Sequence, residues 1–94
     1  MTTTERGIQM SNRVVYKYTA SDTTITVPKN TNIIHAGLQD DKLCIWAEVN
    51  PEELNDTRVT VDIVGTGHPI PSGTIHVGTF FQGPFVWHVY VGCA

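Results

Sequence analysis

The fold is decided by residues 32–49, NIIHAGLQDDKLCIWAEV, in which two runs of aliphatic, aromatic and β-branched residues flank Asp40-Asp41. Such runs are typical of strands, and a polar pair between them predicts a two-residue hairpin turn. With that turn, three pairs of apolar residues face each other on one side of the hairpin: Leu38 with Leu43, Ala36 with Ile45, and Ile34 with Ala47. A shift of one residue would move these side chains to the opposite face, so the pattern predicts both the hairpin and its register.

The C-terminal residues predict a second hairpin around Gln82-Gly83-Pro84. With these three residues as the loop, Phe81 faces Phe85, and the next pairs on that core side are Thr79 with Trp87, Val77 with Val89, and Ile75 with Val91. A two-residue loop would mix the faces, so we expect the longer loop. The other face would then carry three further pairs, Phe80 with Val86, Gly78 with His88, and His76 with Tyr90.

Similar short runs continue on both sides of these hairpins, separated by Asp, Asn, Gly and Pro. We predict seven strands, at residues 13–18, 23–27, 32–39, 42–49, 57–65, 74–81 and 85–91. Asn50-Pro51 is the one signal for a helix start, and it leaves room for no more than a turn. Strands with one apolar side bury that side by pairing two sheets or by closing a barrel. We therefore expect an all-β domain over residues 13–94, a small antiparallel sandwich or barrel-like fold, preceded by a flexible leader of residues 1–12.

The composition of the 94-residue chain fits one small domain, with 40% hydrophobic and 16% charged residues. Six Lys and Arg against nine Asp and Glu give a formal net charge of −3, which lacks the basic footprint of DNA or RNA binding. No run of residues is apolar enough for a membrane span or for a signal peptide. The two cysteines, Cys44 and Cys93, fit no metal-ligand spacing, so we expect reduced thiols and a cytosolic protein.

The segment of residues 65–73, GTGHPIPSG, is the most unusual part of the chain. Its glycines allow positive φ and close backbone approach, and successive amides in such a loop can form an anion-binding nest. The segment lacks the lysine and the following helix of a phosphate-binding loop. We consider four residues as ligand or partner contacts: Gly65, Thr66, Gly67 and His68. The alternative is a purely structural connection between two strands.

Histidines on the second hairpin suggest a further candidate binding surface. His76 and His88 are predicted on the non-core face with Tyr90, as diagonal neighbours about 7 to 8 Å apart. Imidazoles at this separation could share a zinc ion with His68 as a third ligand. No Asp, Glu or Cys completes such a site, so packing of the rings against Tyr90 is the favoured interpretation. We expect neither a metal nor a cofactor.

The two tryptophans have different predicted roles. Trp87 lies on the predicted core side and is expected to anchor the packing. Trp46 shares the opposite face of the first hairpin with His35, where it is either covered or free to stack on a ligand. Catalysis finds little support, because Ser72 is a turn residue and most carboxylates belong to turns. We therefore do not expect an enzyme.

Three blocks of sequence occur in a distinctive order: residues 43–51 (LCIWAEVNP), 64–70 (VGTGHPI) and 76–90 (HVGTFFQGPFVWHVY). Together with Tyr16-Lys17-Tyr18 and Val27-Pro28-Lys29, they resemble a family of small uncharacterised proteins of tailed phages and prophages. The most specific elements are the Gly-Thr-Gly-His-Pro loop and the closing Val-Trp-His-Val-Tyr strand. The resemblance extends from about Val14 to Tyr90 and carries no established catalytic activity.

The resemblance implies a small phage accessory protein in the host cytoplasm. Proteins of this kind often act by occupying a host enzyme, a defence component or a nucleotide messenger. We therefore expect a non-enzymatic protein that binds a host protein or a nucleotide-like small molecule and counters host defence. We also expect a homo-oligomer, because the core of so small a domain gives marginal stability. The first alternative is a structural or assembly protein of the phage, and a histidine-metal hydrolase ranks last.

Overall fold

The computed structural model describes residues 11–94. It contains seven strands: β1 (Val14–Thr19), β2 (Thr24–Pro28), β3 (Asn32–Gln39), β4 (Lys42–Val49), β5 (Asn55–Gly65), β6 (Ile75–Gln82) and β7 (Phe85–Cys93). A three-stranded sheet has the order β1-β4-β3 and a four-stranded sheet the order β2-β5-β7-β6. The predicted all-β sandwich is confirmed, and each strand lies within two residues of its predicted bounds. The predicted leader lies outside the described residues, apart from Ser11 and Asn12.

The β3–β4 hairpin has the predicted turn. Asp40 and Asp41 both have positive φ, 53° and 64°, as in tight hairpin turns whose twist matches that of the strands. The predicted register holds for the five pairs next to the turn: Gln39 with Lys42, Leu38 with Leu43, Gly37 with Cys44, Ala36 with Ile45, and His35 with Trp46. The two-residue turn was therefore sufficient to predict which residues of β3 and β4 face each other in this part of the sheet.

The far end of the same hairpin differs from the prediction. A β-bulge lies between Ile33 and His35, so Ile33 and not Ile34 faces Ala47. The extra residue in a bulge has no direct partner on the neighbouring strand. Ile34 is consequently 44% exposed, and its predicted place in the core is wrong.

The turn between β6 and β7 has two residues, Gly83 and Pro84, and not the predicted three. Gln82 therefore pairs with Phe85, and Phe81 does not face Phe85. The shorter turn is possible because Gly83 adopts a φ of 58°, which glycine reaches at little cost. Phe81 and Phe85 are 72% and 58% exposed and point to opposite faces, so the prediction that they share the core side is wrong.

A β-bulge in β6 reconciles this turn with the rest of the predicted pattern. Val77 is the extra residue, and beyond it Ile75 still faces Val91 and His76 still faces Tyr90. Between the bulge and the turn, the pairs are shifted by one residue from the prediction: Gly78 with Val89, Thr79 with His88, and Phe80 with Trp87. The predictions of Gly78 opposite His88 and of Thr79 opposite Trp87 are therefore wrong, and so are those of Val77 opposite Val89 and of Phe80 opposite Val86.

The core lies between the two sheets. Its buried residues are Ile25, Val27, Val61, Val89 and Val91 from the four-stranded sheet and Ala36 and Ile45 from the three-stranded sheet. The sheets approach closely where β3 passes β6, and an ideal Cβ on Gly78 would lie 2.0 Å from the carbonyl oxygen of Ala36. Position 78 requires glycine, because any side chain there would overlap the backbone of the other sheet.

The connection from β5 to β6 crosses over β7. Both strands are antiparallel to β7 and lie on its two sides, so the chain must pass over one face of the sheet. It passes over the outer face at Gly92, where an ideal Cβ would lie 3.0 Å from the carbonyl oxygen of Gly73. The crossover therefore holds the Gly/Pro segment of residues 65–73 against the four-stranded sheet.

The chain between β4 and β5 forms a single turn at Pro51. The amide of Glu52 donates to Oδ1 of Asn50 at 3.0 Å, and the amide of Glu53 donates to the Asn50 carbonyl oxygen at 3.0 Å. This agrees with the prediction of no more than one turn. Residues 11–94 contain no helix that could cross a membrane.

Candidate functional site

The predicted site residues lie in four separate places. The outer face of the four-stranded sheet, turned away from the core, carries Thr66, His76, Thr79, His88 and Tyr90, which we call the imidazole face. Gly65 and His68 lie on the inner side of that sheet, against Trp87. Trp46 lies beside His35 on the outer face of the three-stranded sheet, on the other side of the sandwich. Gly67 lies in the crossover, where an added Cβ would meet no atom within 4 Å.

Thr79 joins the two histidines of the imidazole face. Its Oγ1 lies 2.9 Å from His76 Nε2 and 3.1 Å from His88 Nδ1. The other ring nitrogen of His88, Nε2, lies 2.9 Å from Oγ1 of Thr66. The His76 ring also packs edge-on against Tyr90, with ring centroids 5.4 Å apart. His76, His88 and Tyr90 therefore share a face as predicted, but the hydroxyl that links the rings was assigned by sequence to the core side.

One order of protons on the imidazole face follows when both rings are neutral and the Thr66 hydroxyl is oriented by its contact with Val86. The hydroxyl of Thr66 donates to the Val86 carbonyl oxygen at 3.4 Å, so it accepts from the N–H at His88 Nε2. Nδ1 of His88 then accepts from the hydroxyl of Thr79, whose oxygen accepts from the N–H at His76 Nε2. In this order both histidines are Nε2–H tautomers, and the Thr79 hydroxyl links the two rings.

The structure does not assemble the zinc site considered from the sequence. Residues 11–94 contain no group of three or more His, Cys, Asp or Glu side chains that could hold a metal ion. His68, the third ligand in that hypothesis, lies on the inner side, with its Cδ2 3.2 Å from an ideal Cβ on Gly65. The imidazole face is therefore a hydrogen-bonded network, and its histidines are separated from His68 by the sheet itself.

The Gly/Pro segment does not present the row of amides that an anion-binding nest needs. The amide of Thr66 donates to the Val86 carbonyl oxygen at 3.4 Å, and the amide of His68 donates to the Gly65 carbonyl oxygen at 3.0 Å. Gly67 and Gly73 have φ of 91° and 75°, so the glycines serve the turns of the crossover. This geometry favours the structural interpretation of the segment.

An apolar groove that the sequence did not predict lies at one end of the sandwich. It encloses about 380 Å³ and is lined by Leu38, Asp41, Leu43, Ile63, Phe80, Gln82 and Trp87. We call it the Trp87 groove. One wall comes from the β3–β4 hairpin and the other from the inner face of the four-stranded sheet. The groove therefore lies where the three-stranded sheet ends and leaves the inner face of its partner uncovered.

Trp87 is held at the centre of this groove. Its indole N–H donates to Oε1 of Gln82 at 3.3 Å, and its ring stacks on Phe85 with centroids 5.9 Å apart. Phe85 and Ile63 extend the apolar surface and are 58% and 50% exposed. Trp87 lies on the inner face as predicted, but it is only half-buried and does not pack against the buried core cluster. The sequence signal for this groove was the group of aromatic residues next to the Gly83-Pro84 turn. The predicted three-residue loop placed Phe81 and Phe85 on the core side, so their exposure was not expected.

Trp46 and His35 pack on each other with ring centroids 5.6 Å apart. The His35 ring also lies over Gly37, with its Nε2 3.3 Å from an ideal Cβ at that position. Cys44, which pairs with Gly37, is 2% exposed. Both aromatic rings thus cover the outer face of the central strand β4, and Trp46 is half-buried in the process. The second sheet does not cover Trp46, which is half-buried on the outer face against His35.

Replacing Thr79 with valine tests the proton order on the imidazole face. The substitution keeps the shape of the side chain and removes the hydroxyl that both histidines share, so we expect a loss of about 1 kcal/mol in the free energy of unfolding. We also expect His88 to lose its preference for the Nε2–H tautomer, which ¹⁵N chemical shifts of the ring report. Thr26→Val, at an exposed threonine of β2, is the control and should change neither quantity. An unchanged tautomer in Thr79→Val would contradict the hydrogen-bond order.

The model of a family described as a domain of unknown function, DUF7352, matches residues 11–93. No curated protein and no solved structure shows a significant match to the chain.

Proposed function

This chain belongs to the DUF7352 family, and we propose that it is a non-enzymatic binding protein that engages a protein partner through the Trp87 groove. The observation that carries the proposal is the groove itself, an open apolar surface with a fixed tryptophan at its centre. Tryptophan is among the residues that contribute most to binding at protein interfaces. On the imidazole face, by contrast, three of the four imidazole nitrogens already lie within hydrogen-bond distance of threonine hydroxyls.

The apolar surface is already formed in the free protein. The stack of Phe85 on Trp87 and the hydrogen bond to Gln82 restrict the indole before any partner arrives. A side chain fixed in this way loses little conformational freedom on binding, which favours affinity. Burial of apolar area contributes about 25 cal/mol per Å², so covering Phe85, Ile63 and Trp87 supplies the driving force.

The charges around the groove indicate the chemistry of the partner. Asp41 lines the groove, Asp40 is its neighbour in the turn, and the whole chain carries a formal net charge of −3. No Lys or Arg is among the residues that line the groove. The surface therefore suits a partner segment with apolar side chains and a flanking Lys or Arg.

A nucleotide-like ligand is less well supported. Two of the crossover amides considered for a phosphate bind carbonyl oxygens within the protein. The cleft on the other side of Trp87, lined by Gly65, Thr66, His68, Pro84, Phe85, Val86 and Trp87, contains no Lys or Arg. Burying a phosphate without a cation or free amides has a large desolvation cost. The protein-binding version of the hypothesis is therefore the better one.

The resemblance to small phage and prophage proteins suggests the setting. In this proposal the partner is a host protein in the host cytoplasm, and its occupation counters a host process. A role as a structural or assembly protein of the phage would use the same groove on a virion component. The fixed apolar groove supports both settings equally, and identification of the partner distinguishes them.

Site-specific cross-linking tests the groove. Phe85 is replaced with the photo-reactive amino acid p-benzoylphenylalanine, and cells that carry the protein naturally are irradiated. We expect a discrete adduct with one protein. Position 81 is the matched control, because Phe81 lies on the same hairpin, is 72% exposed and points to the opposite face. Asp41→Asn, which keeps a residue that tolerates positive φ, should lower the adduct yield about threefold, since an exposed ion pair contributes at most about 1 kcal/mol.

Equal adducts at positions 81 and 85 would overturn the proposal, and so would an adduct that is insensitive to Asp41→Asn. A host protein in the adduct supports the host-factor version. A virion protein in the adduct would overturn that version and assign the groove to assembly.

A further inference from the structure

The outer edge of β1 is free of strand partners among residues 11–94. β1 lies at the edge of the three-stranded sheet and pairs with β4 alone. Its six residues pair with β4 without any shift in register, from Val14 opposite Val49 to Thr19 opposite Cys44. A regular edge strand of this kind presents a row of unpaired N–H and C=O groups to any strand that approaches it.

The other three edge strands carry features that hinder such pairing. β2 contains Pro28 and a register shift before it, β3 contains the bulge at Ile34, and β6 contains the bulge at Val77. Proline and bulges are among the features by which proteins protect sheet edges from unwanted partners, as are charged side chains, and Lys17 of β1 is turned towards Gln39 of β3. β1 has neither a proline nor a bulge, and the difference singles out this edge as one that accepts a strand.

The alternation of hydrogen bonds identifies the free groups. The amide of Ala20 donates to the Leu43 carbonyl oxygen at 2.9 Å, which continues the β1–β4 register by one residue. In an antiparallel pair every second residue bonds to its neighbour, so Tyr18, Tyr16 and Val14 bond to β4. The N–H and C=O groups of Val15, Lys17 and Thr19 therefore point away from the sheet.

We propose that two copies of the protein pair through antiparallel β1 strands, with Tyr16 opposite Tyr16 of the second copy, to form one continuous six-stranded sheet. A two-fold axis through Tyr16 places Val15 opposite Lys17, and both residues have outward-pointing backbone groups. Each of these two symmetry-related pairs forms two backbone hydrogen bonds. The register shifted by two residues would place Lys17 opposite Lys17, and repulsion between the like charges disfavours it.

The side chains of β1 fit this arrangement. Val14 and Tyr16 lie on the inner face of the sheet, yet they are 43% and 44% exposed because the four-stranded sheet does not cover them. In the pair, Tyr16 meets Tyr16 at the closest type of cross-strand position, and Val14 lies opposite Tyr18. The exposed apolar side chains of β1 in one copy thus lie next to those of β1 in the second copy. This surface is separate from the Trp87 groove, so it does not depend on the proposed function.

The mass in solution gives the first test. We expect light scattering on the purified protein to report about twice the chain mass of 10.4 kDa. Val15→Pro should reduce the mass to that of one chain, because proline removes an N–H that the dimer uses and the monomer does not. Val15→Thr keeps this N–H and is the matched control, with the mass of two chains expected. The midpoint of urea unfolding at low protein concentration, where both proteins are single chains, should be similar in the two variants.

Disulfide trapping tests the register. In a Cys93→Ser background, which removes the exposed native thiol, Tyr16→Cys places two cysteines directly opposite each other across the axis, and we expect a covalent dimer under mild oxidation. Lys17→Cys is the control, because its two copies would be diagonal and about 8 Å or more apart, too far for a disulfide. A single-chain mass for the unsubstituted protein would overturn the proposal. So would equal trapping at positions 16 and 17, or a Val15→Pro variant that remains dimeric.

Discussion

Replacing Gly78 with alanine is expected to destabilise the protein by about 3 kcal/mol or more. An added methyl group would lie 2.0 Å from the carbonyl oxygen of Ala36 and within 3 Å of two further backbone atoms of that residue. Rotation of a side chain cannot relieve this overlap, because the overlapping atoms of Ala36 belong to the backbone. The two sheets would have to move apart at this point of the core. Since small domains have a total stability of about 5–15 kcal/mol, a large fraction of the variant is expected to be unfolded at physiological temperature. Thermal unfolding followed by near-UV circular dichroism measures the change.

Gly37→Ala is the matched control for this prediction. Gly37 also lies in a strand at an edge of the sandwich, but an ideal Cβ there meets only the ring of His35, at 3.3 Å. A ring can rotate away, whereas the backbone of Ala36 cannot. We expect a loss below about 1 kcal/mol for Gly37→Ala. Similar losses in the two variants would show that the close approach of β3 and β6 is not what requires glycine at position 78.

Replacing Ile45 with alanine is expected to cost about 2–5 kcal/mol in the free energy of unfolding. Ile45 is fully buried on β4, the central strand of its sheet, and faces core residues of both sheets. Its removal leaves a cavity that neighbouring strands, fixed by hydrogen bonds on both sides, cannot fill by moving inward. Urea unfolding should show a lower midpoint, with little change in the slope.

Ile34→Ala tests the β-bulge in the same hairpin. The sequence assigned Ile34 and Ile45 to one apolar face, which predicts comparable losses for the two alanine variants. The bulge leaves Ile34 44% exposed, and we therefore expect a loss below about 1 kcal/mol for Ile34→Ala. A loss as large as that of Ile45→Ala would place Ile34 in the core and contradict the bulge.

The sequence was informative where local pattern and turn chemistry agree. Asp40 and Asp41 form the predicted turn, and the pairs next to it have the predicted register. Strand number and bounds followed from β-branched runs and from the polar or Gly/Pro residues between them. These features depend on interactions between residues close in the chain or directly opposite each other, and a single sequence records such interactions.

The bulge at Val77 and the two-residue turn at Gly83-Pro84 could not be predicted in the same way. Each shifts the register by one residue, and the two shifts cancel at His76, so the ends of the hairpin pair as if neither were present. Gly78, the residue after the bulge, lies against Ala36 of the other sheet, and the pattern of one hairpin contains no information on this contact. The shift places Phe80 opposite Trp87 on the inner face, where both residues line the Trp87 groove.

The candidate sites also combine features that the sequence could predict with features that it could not. Sequence placed His76, His88 and Tyr90 on one face, because that assignment required only the alternation of side chains along a strand. It could not place His68, since the path of the crossover decides on which side of the sheet that ring lies. It also could not identify Thr79 as the link between the imidazoles, because the bulge sets the position of Thr79.

Both bulges have a consequence for how the length of the chain can vary between relatives. Losing a residue from a regular strand turns every later side chain to the wrong side of the sheet. Removal of Ile34 or Val77 would instead leave each flanking pair as it is, since Ile33 already faces Ala47 and Gly78 already faces Val89. Within this family, one-residue insertions and deletions inside strands should therefore collect at these two positions, and at position 34 above all, where the lost side chain is half in solvent.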